Sequence, residues 1–150
     1  MYLLDSDHCS KLLDNDATVT AELNDHSNSD IATSVISQGE LVFMANASRD
    51  RSTNVLRVSA LLSGIRIYSL DSPTAEIYGR LKADLYNHYG PKEKAKRRHT
   101  TMAQLGFGDN DLWIAALAIQ HGFVIVSVDT DFQRIQQIAQ IKVESWMAVR

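Results

Sequence analysis

The chain has 150 residues, 45% of them hydrophobic and 22% charged, the balance of an ordinary globular domain long enough to bury its own core. One cysteine, Cys9, excludes an internal disulfide. The first apolar run has no basic leader before it, and the longest, Leu112 to Ile119, is too short to span a bilayer, so the expectation is one cytoplasmic domain with no membrane association over residues 1–150. Net charge is −3, yet the strip Lys92 to His99 carries about +4, leaving about −7 on the rest, an acidic body with one basic strip.

In chain order, Met1–Leu4 reads as a short buried strand. His8–Asp16 and Ala17–Ser27 read as helices, with Leu12, Leu13, Val19 and Leu23 spaced about a turn apart. Asp30–Ser37, rich in β-branched residues, reads as a second strand. Gln38–Ala47 and Ser52–Gly64 follow as helices, Gly64 acting as a stop. Ile65–Leu70 alternates as a third strand. Asp71, Ser72 and Pro73 then open a helix that runs to Gly90-Pro91. Lys92–Thr101 is polar, a loop or frayed helix. Asp109–Gly122 has capping acids, an apolar body and a glycine stop. Phe123–Val128 is a fourth strand, Asp129–Gln140 a short helix and Ile141–Trp146 a fifth strand. Strands alternating with helices predict an α/β sandwich with a mostly parallel five-stranded sheet.

Ligands in such sheets bind beyond the C-terminal ends of the strands. Asp5 ends the first strand and Asp129 the fourth. Glu40 follows the second strand, and Asp111 lies in the first turn of the helix before the fourth. Each acid also admits a structural role. Asp5 or Asp7 can cap the first helix, Asp129 the one near Asp131, and Asp109 and Asp111 can serve as cap and first-turn acid. Glu40 fits a capping role least, sitting beside "LVFM" with no basic neighbour in sequence. Together the acids repel one another unless a cation offsets them, and a hard divalent ion is the usual offset. The five histidines show no paired spacing of zinc type, and "GFGDND" lacks the lysine of a phosphate loop.

Four segments in series, "LLDSDH", "SVISQGEL", "GDNDLWIAALAIQHG" and "VIVSVDTDFQRI", resemble the PIN-domain ribonucleases, most closely the VapC-type toxins of bacterial toxin–antitoxin pairs. The resemblance implies a PIN-like α/β/α sandwich and a Mg²⁺- or Mn²⁺-dependent endoribonuclease. It places the catalytic, metal-holding acids at Asp5, Glu40, Asp111 and Asp129, with Asp131 a rival for the fourth place. Ser6, Asp7 and Asp131 then stand as outer supporting groups, Asp7 also as the helix cap, and Asp109 as an N-cap. Lys92, Lys94, Lys96, Arg97 and Arg98 are candidate RNA contacts, an antitoxin dock or a solvated loop. A cognate antitoxin and a homodimer are implied partners, and Trp113 is assigned to the core or a dimer seam. The alternatives are an inactive PIN-like module that binds RNA or protein, and a housekeeping RNA-processing nuclease.

Overall fold

Strand residues point alternately to the two faces of a sheet. The computed structural model describes residues 1–26 and 30–147 and places five strands in one sheet: β1 (Tyr2–Leu4), β2 (Ile31–Ser34), β3 (Arg66–Tyr68), β4 (Val124–Val126) and β5 (Lys142–Glu144). Leu3, Ala32 and Ile125 enter one core cluster, whereas Leu4, Ile31 and Val126 enter the other. Both faces are therefore apolar, and helices cover both. On the first face lie α5 (Ser72–Tyr89), α7 (Asp109–His121) and α8 (Thr130–Ile135), contributing Leu81, Leu85, Leu117 and Phe132. On the second lie α1 (Ser6–Leu13), α2 (Ala17–Asp25), α3 (Val35–Ala47) and α4 (Arg51–Gly64), contributing Cys9, Val19, Leu41 and Val58. A single turn, α6 (Lys94–Arg97), lies between α5 and α7 in sequence.

Every strand pair is parallel, and the order is β3-β2-β1-β4-β5. The sheet is thus wholly rather than mostly parallel. The chain builds outward from β1 through β2 to β3, then returns to lay β4 and β5 on the other side. The strand order reverses between β1 and β4, and that crevice is where a doubly wound sheet presents its ligand site. Asp5 sits at its rim, its backbone N–H donating to Val126 O at 3.2 Å.

Several boundaries differ from the sequence reading, and side-chain capping explains them. The second strand stops at Ser34, not Ser37, because the Ser34 hydroxyl accepts the Ser37 N–H at 3.0 Å and opens α3 three residues early. β4 stops at Val126. Asp129 therefore does not end the strand but caps α8, its Oδ1 accepting the Asp131 N–H at 2.8 Å. The helix predicted through Ser27 ends at Asp25, and Ser27 lies outside the described residues. The start of α5 is as read: Asp71 forms a capping box with Thr74, and Pro73 stands in the first turn. Among the described residues, no helix is long and apolar enough to cross a membrane.

Candidate metal centre

Asp5 and Asp7 differ in position from the sequence reading. Asp5, not Asp7, is the N-cap of α1: its Oδ1 accepts the His8 backbone N–H at 2.8 Å. Asp5 is buried, while Asp7 is exposed in the first turn. The Asp5 Oδ1 also lies 3.0 Å from Nδ1 of His8, a fully buried imidazole. Among the described residues, Oδ2 of Asp5 makes no hydrogen bond. Ser6 makes none to either neighbouring acid; it is simply the first residue of α1.

At the start of α7 the N-cap is Gly108, not Asp109. Asp109 turns away to α5, accepting from the Tyr78 hydroxyl at 2.9 Å and Lys82 Nζ at 3.2 Å, and these two donors hold its carboxyl below the ordinary carboxylate range. Asp111, two residues on, faces the crevice. One oxygen each from Asp111, Asp129 and Asp131 lies within 4.8 Å of the others. The sequence set Asp129 and Asp131 as rivals for one place; the fold puts both beside Asp111. The bend that allows this is local. Asp129 caps α8, so Asp131 stands in its first turn, where the Gly108 N–H donates to its Oδ2 at 3.2 Å.

Asp5 and Glu40 lie outside that tight triplet but close enough to act on it through charge. Burial, and then the charges of Asp129, Asp131, Glu40 and Asp5, push the Asp111 carboxyl up from 3.8 to about 7. Asp7 is also raised, by partial burial first and then by Asp5, with Glu40 and Asp129 adding to it and His8 opposing. The charges of Asp5, Glu40, Asp129 and Asp131 thus all bear on Asp111, whereas Asp109 is tied to α5.

Three partners of these acids were missed. Asn110 Nδ2 donates to Glu40 Oε1 at 2.6 Å, bridging α7 to α3. No spacing in the sequence announces a contact across seventy positions. His8 sits three residues after Asp5, the position where a side chain reaches back to an N-cap, so its contact was open to reading. Arg134 lies 3.5 Å from Asp131 at helical spacing and is the one cation paired with this cluster among the described residues. One guanidinium does not balance five carboxylates. The donor set is all oxygen, with no thiolate, which suits a hard divalent cation of the Mg²⁺ or Mn²⁺ type.

The basic strip forms α6 and its flanks. Lys96 pairs with Glu93 at 3.1 Å, and Arg97 bonds Asn87 and lies over the Tyr86 ring at 5.2 Å, while Lys92, Lys94 and Arg98 are exposed. Trp113 is half-buried, stacked on Tyr78 with ring centroids 3.8 Å apart.

Residues 2–138 match the PIN domain family. No curated protein matches the chain by sequence. Among solved structures, DNA-bound VapBC from Salmonella typhimurium shares the fold at TM-score 0.79 and 24% identity, over 97% of this chain and 98% of that one. VapBC2 from Rickettsia felis, bound to a fragment of promoter DNA, matches at TM-score 0.76 and 22% identity, over 97% and 98%. A toxin–antitoxin complex from Klebsiella pneumoniae matches at TM-score 0.68 and 18% identity, over 99% and 100%.

Proposed function

The chain belongs to the PIN domain family, and on that footing we propose that it is a divalent-metal-dependent endoribonuclease acting as the toxin of a toxin–antitoxin pair. The observation that carries the reading is the single crevice at the switch point, where Asp111 is surrounded by Asp5, Glu40, Asp129 and Asp131 and its carboxyl is driven to about 7. A site that holds this much unneutralised negative charge suits a bound cation more than a structural role. Asp111, Asp129 and Asp131 would hold it together with Asp5, and Glu40 completes the ring of charge. When bound, Mg²⁺ or Mn²⁺ supplies an activated water and neutralises charge developing on phosphorus.

The chain's own residues position the reaction. The Asp129 carboxylate is set by its cap, Asp131 by the Gly108 amide and Arg134, and Glu40 by Asn110. The exposed cations of the strip Lys92–Arg98 are assigned to RNA phosphates, because an acidic crevice by itself repels a polyanion. The solved neighbours that are toxin–antitoxin complexes support a protein partner for this chain. The exposed Phe43 and Leu56, 71% and 72% accessible on α3 and α4, give it an apolar surface, for an antitoxin or a second copy.

The purified chain is expected to cleave RNA in Mg²⁺ or Mn²⁺ and to lose at least 100-fold of its rate in EDTA, with recovery on adding back metal. Cleavage that persists in EDTA rules this function out. Gly108→Ala is a finer test of the crevice. The backbone there, φ −75°, accepts any residue, but a Cβ would stand 2.9 Å from Asp111 Oδ2. Thermal melting is expected to fall by no more than about 4 °C, the cost of alanine at an N-cap, while the cleavage rate falls several-fold as the carboxylate is displaced. An unchanged rate would place Asp111 outside the reacting geometry.

A further inference from the structure

The imidazole of His8 is fully buried, and both of its nitrogens have partners. Nδ1 meets Asp5 Oδ1 at 3.0 Å, and the backbone N–H of Trp146 donates to Nε2 at 3.3 Å. A nitrogen that accepts an amide hydrogen carries none of its own, so the ring proton sits on Nδ1 and is donated to Asp5. Oδ1 of Asp5 thereby receives two donors, the His8 amide and the His8 ring. Both point to the same oxygen, and Oδ2 has no hydrogen-bond partner among the described residues.

The other end of the contact is equally fixed. Trp146 is buried against the second core cluster, its ring 5.5 Å from Tyr2 and 5.3 Å from His26, and its Nε1 donates to Glu144 Oε1 at 2.9 Å. The segment after β5 therefore reaches the first acid of the crevice through one side chain, 138 positions apart in sequence.

We infer that His8 is a positioning residue: seated on the Trp146 amide, it fixes the Asp5 carboxylate so that Oδ2 faces the metal. The inference rests on the metal reading above. A group that orients a ligand commonly alters metal affinity 10- to 100-fold when removed. Asn at this position puts its amide NH2 where Nδ1 stands and keeps the donor to Asp5; Gln puts its amide oxygen where Nε2 stands and keeps only the bond accepted from the Trp146 N–H.

The experiment measures Mn²⁺ binding to the full chain by titration calorimetry, for wild type, His8→Asn, His8→Gln and Asp111→Asn, with melting of the metal-free proteins alongside. His8→Asn is expected to bind within about 3-fold of wild type and His8→Gln at least 10-fold more weakly, although both melt lower than wild type. Nitrogen-15 spectra of the imidazole should show the proton on Nδ1. Equal Mn²⁺ affinity of the Asn and Gln variants, or affinities that simply follow melting temperature, overturns the inference. A proton on Nε2 does the same, and that arm needs no variant to fold. Wild type that binds no Mn²⁺, or binds it no better than Asp111→Asn, overturns the metal reading itself. Wild-type binding with both His8 variants unchanged overturns the positioning role alone.

Discussion

Asp111→Asn is expected to melt higher than wild type without metal and to lose metal-dependent cleavage by about 100-fold or more. The two effects have one cause. Burial and four neighbouring carboxylates raise this carboxyl from 3.8 to about 7, so between those values the folded chain keeps a proton that the unfolded chain releases. Stability therefore falls as pH rises from about 4 to about 7 and stays reduced above that range, where Asp111 is ionised among like charges. The full shift corresponds to about 4 kcal/mol, but Asp111 is only partly buried, and water screening reduces this to about 1–2 kcal/mol. Asparagine removes the charge. At pH 8 the metal-free midpoint should rise by about 2–8 °C, and at pH 4 the difference should vanish. Mg²⁺ reverses the order: wild type gains by mass action, whereas the variant gains little. Calorimetry at both pH values, in EDTA and in Mg²⁺, reads all of this. A metal-free midpoint that falls by several degrees would make Asp111 a structural first-turn acid.

The same substitution at Asp5 should not stabilise, and this is where structure changes the sequence reading most. From sequence, both acids were charges in a repelling cluster. In the fold Asp5 caps α1 and bonds His8, so removing its charge relieves repulsion but weakens two hydrogen bonds.

The architecture was legible because the strands are short, apolar and separated by helical patterns. The order of the acidic motifs was legible too, since it needs no knowledge of contacts; of the acids it proposed, the fold brings Asp111, Asp129 and Asp131 within ligand reach of one another. Three kinds of feature were not legible. Strand ends were overrun at Ser34 and Val126 because a serine cap and an aspartate cap stop the ladder before the β-branched run ends. The choice between Asp129 and Asp131 could not be made in sequence, since it depends on where α8 begins; the fold brings both to Asp111. The partners that set the carboxylates, Asn110 and His8, act across elements, and only the packing of α7 on α3 and of the C-terminal segment on α1 brings them into reach.

Arg134→Ala should be the most destabilising of these single changes, lowering the melting midpoint by about 4–12 °C. Its guanidinium is a clasp on the loop that leads into the crevice. Nη2 donates to Leu105 O at 2.8 Å and Nη1 to Gly106 O at 3.0 Å, while Cζ lies 3.9 Å from the Phe107 ring centroid and 4.8 Å from that of Tyr89. Gly106 is shaped for this clasp: its φ is +80°, and a Cβ would come within 3.2 Å of Nη1. Two charge-assisted bonds to carbonyls and the two ring contacts, reduced for partial exposure, come to about 2–3 kcal/mol. At 2–4 °C per kcal/mol in a chain of this length, that gives the stated fall. The loop ends at Gly108, whose amide sets Asp131, and Arg134 is also the counter-charge of Asp131 at 3.5 Å. Removing it therefore loosens the crevice and increases repulsion inside it. Mg²⁺ should recover more stability in Arg134→Ala than in wild type, because the metal replaces the missing positive charge. Arg134→Lys separates the two roles: it restores charge beside Asp131 but has no planar fork to reach both carbonyls, so less than half of the lost stability should return. A lysine variant that melts with wild type would show that charge alone matters, and an alanine variant within 2 °C of wild type would show that the clasp does not hold the loop.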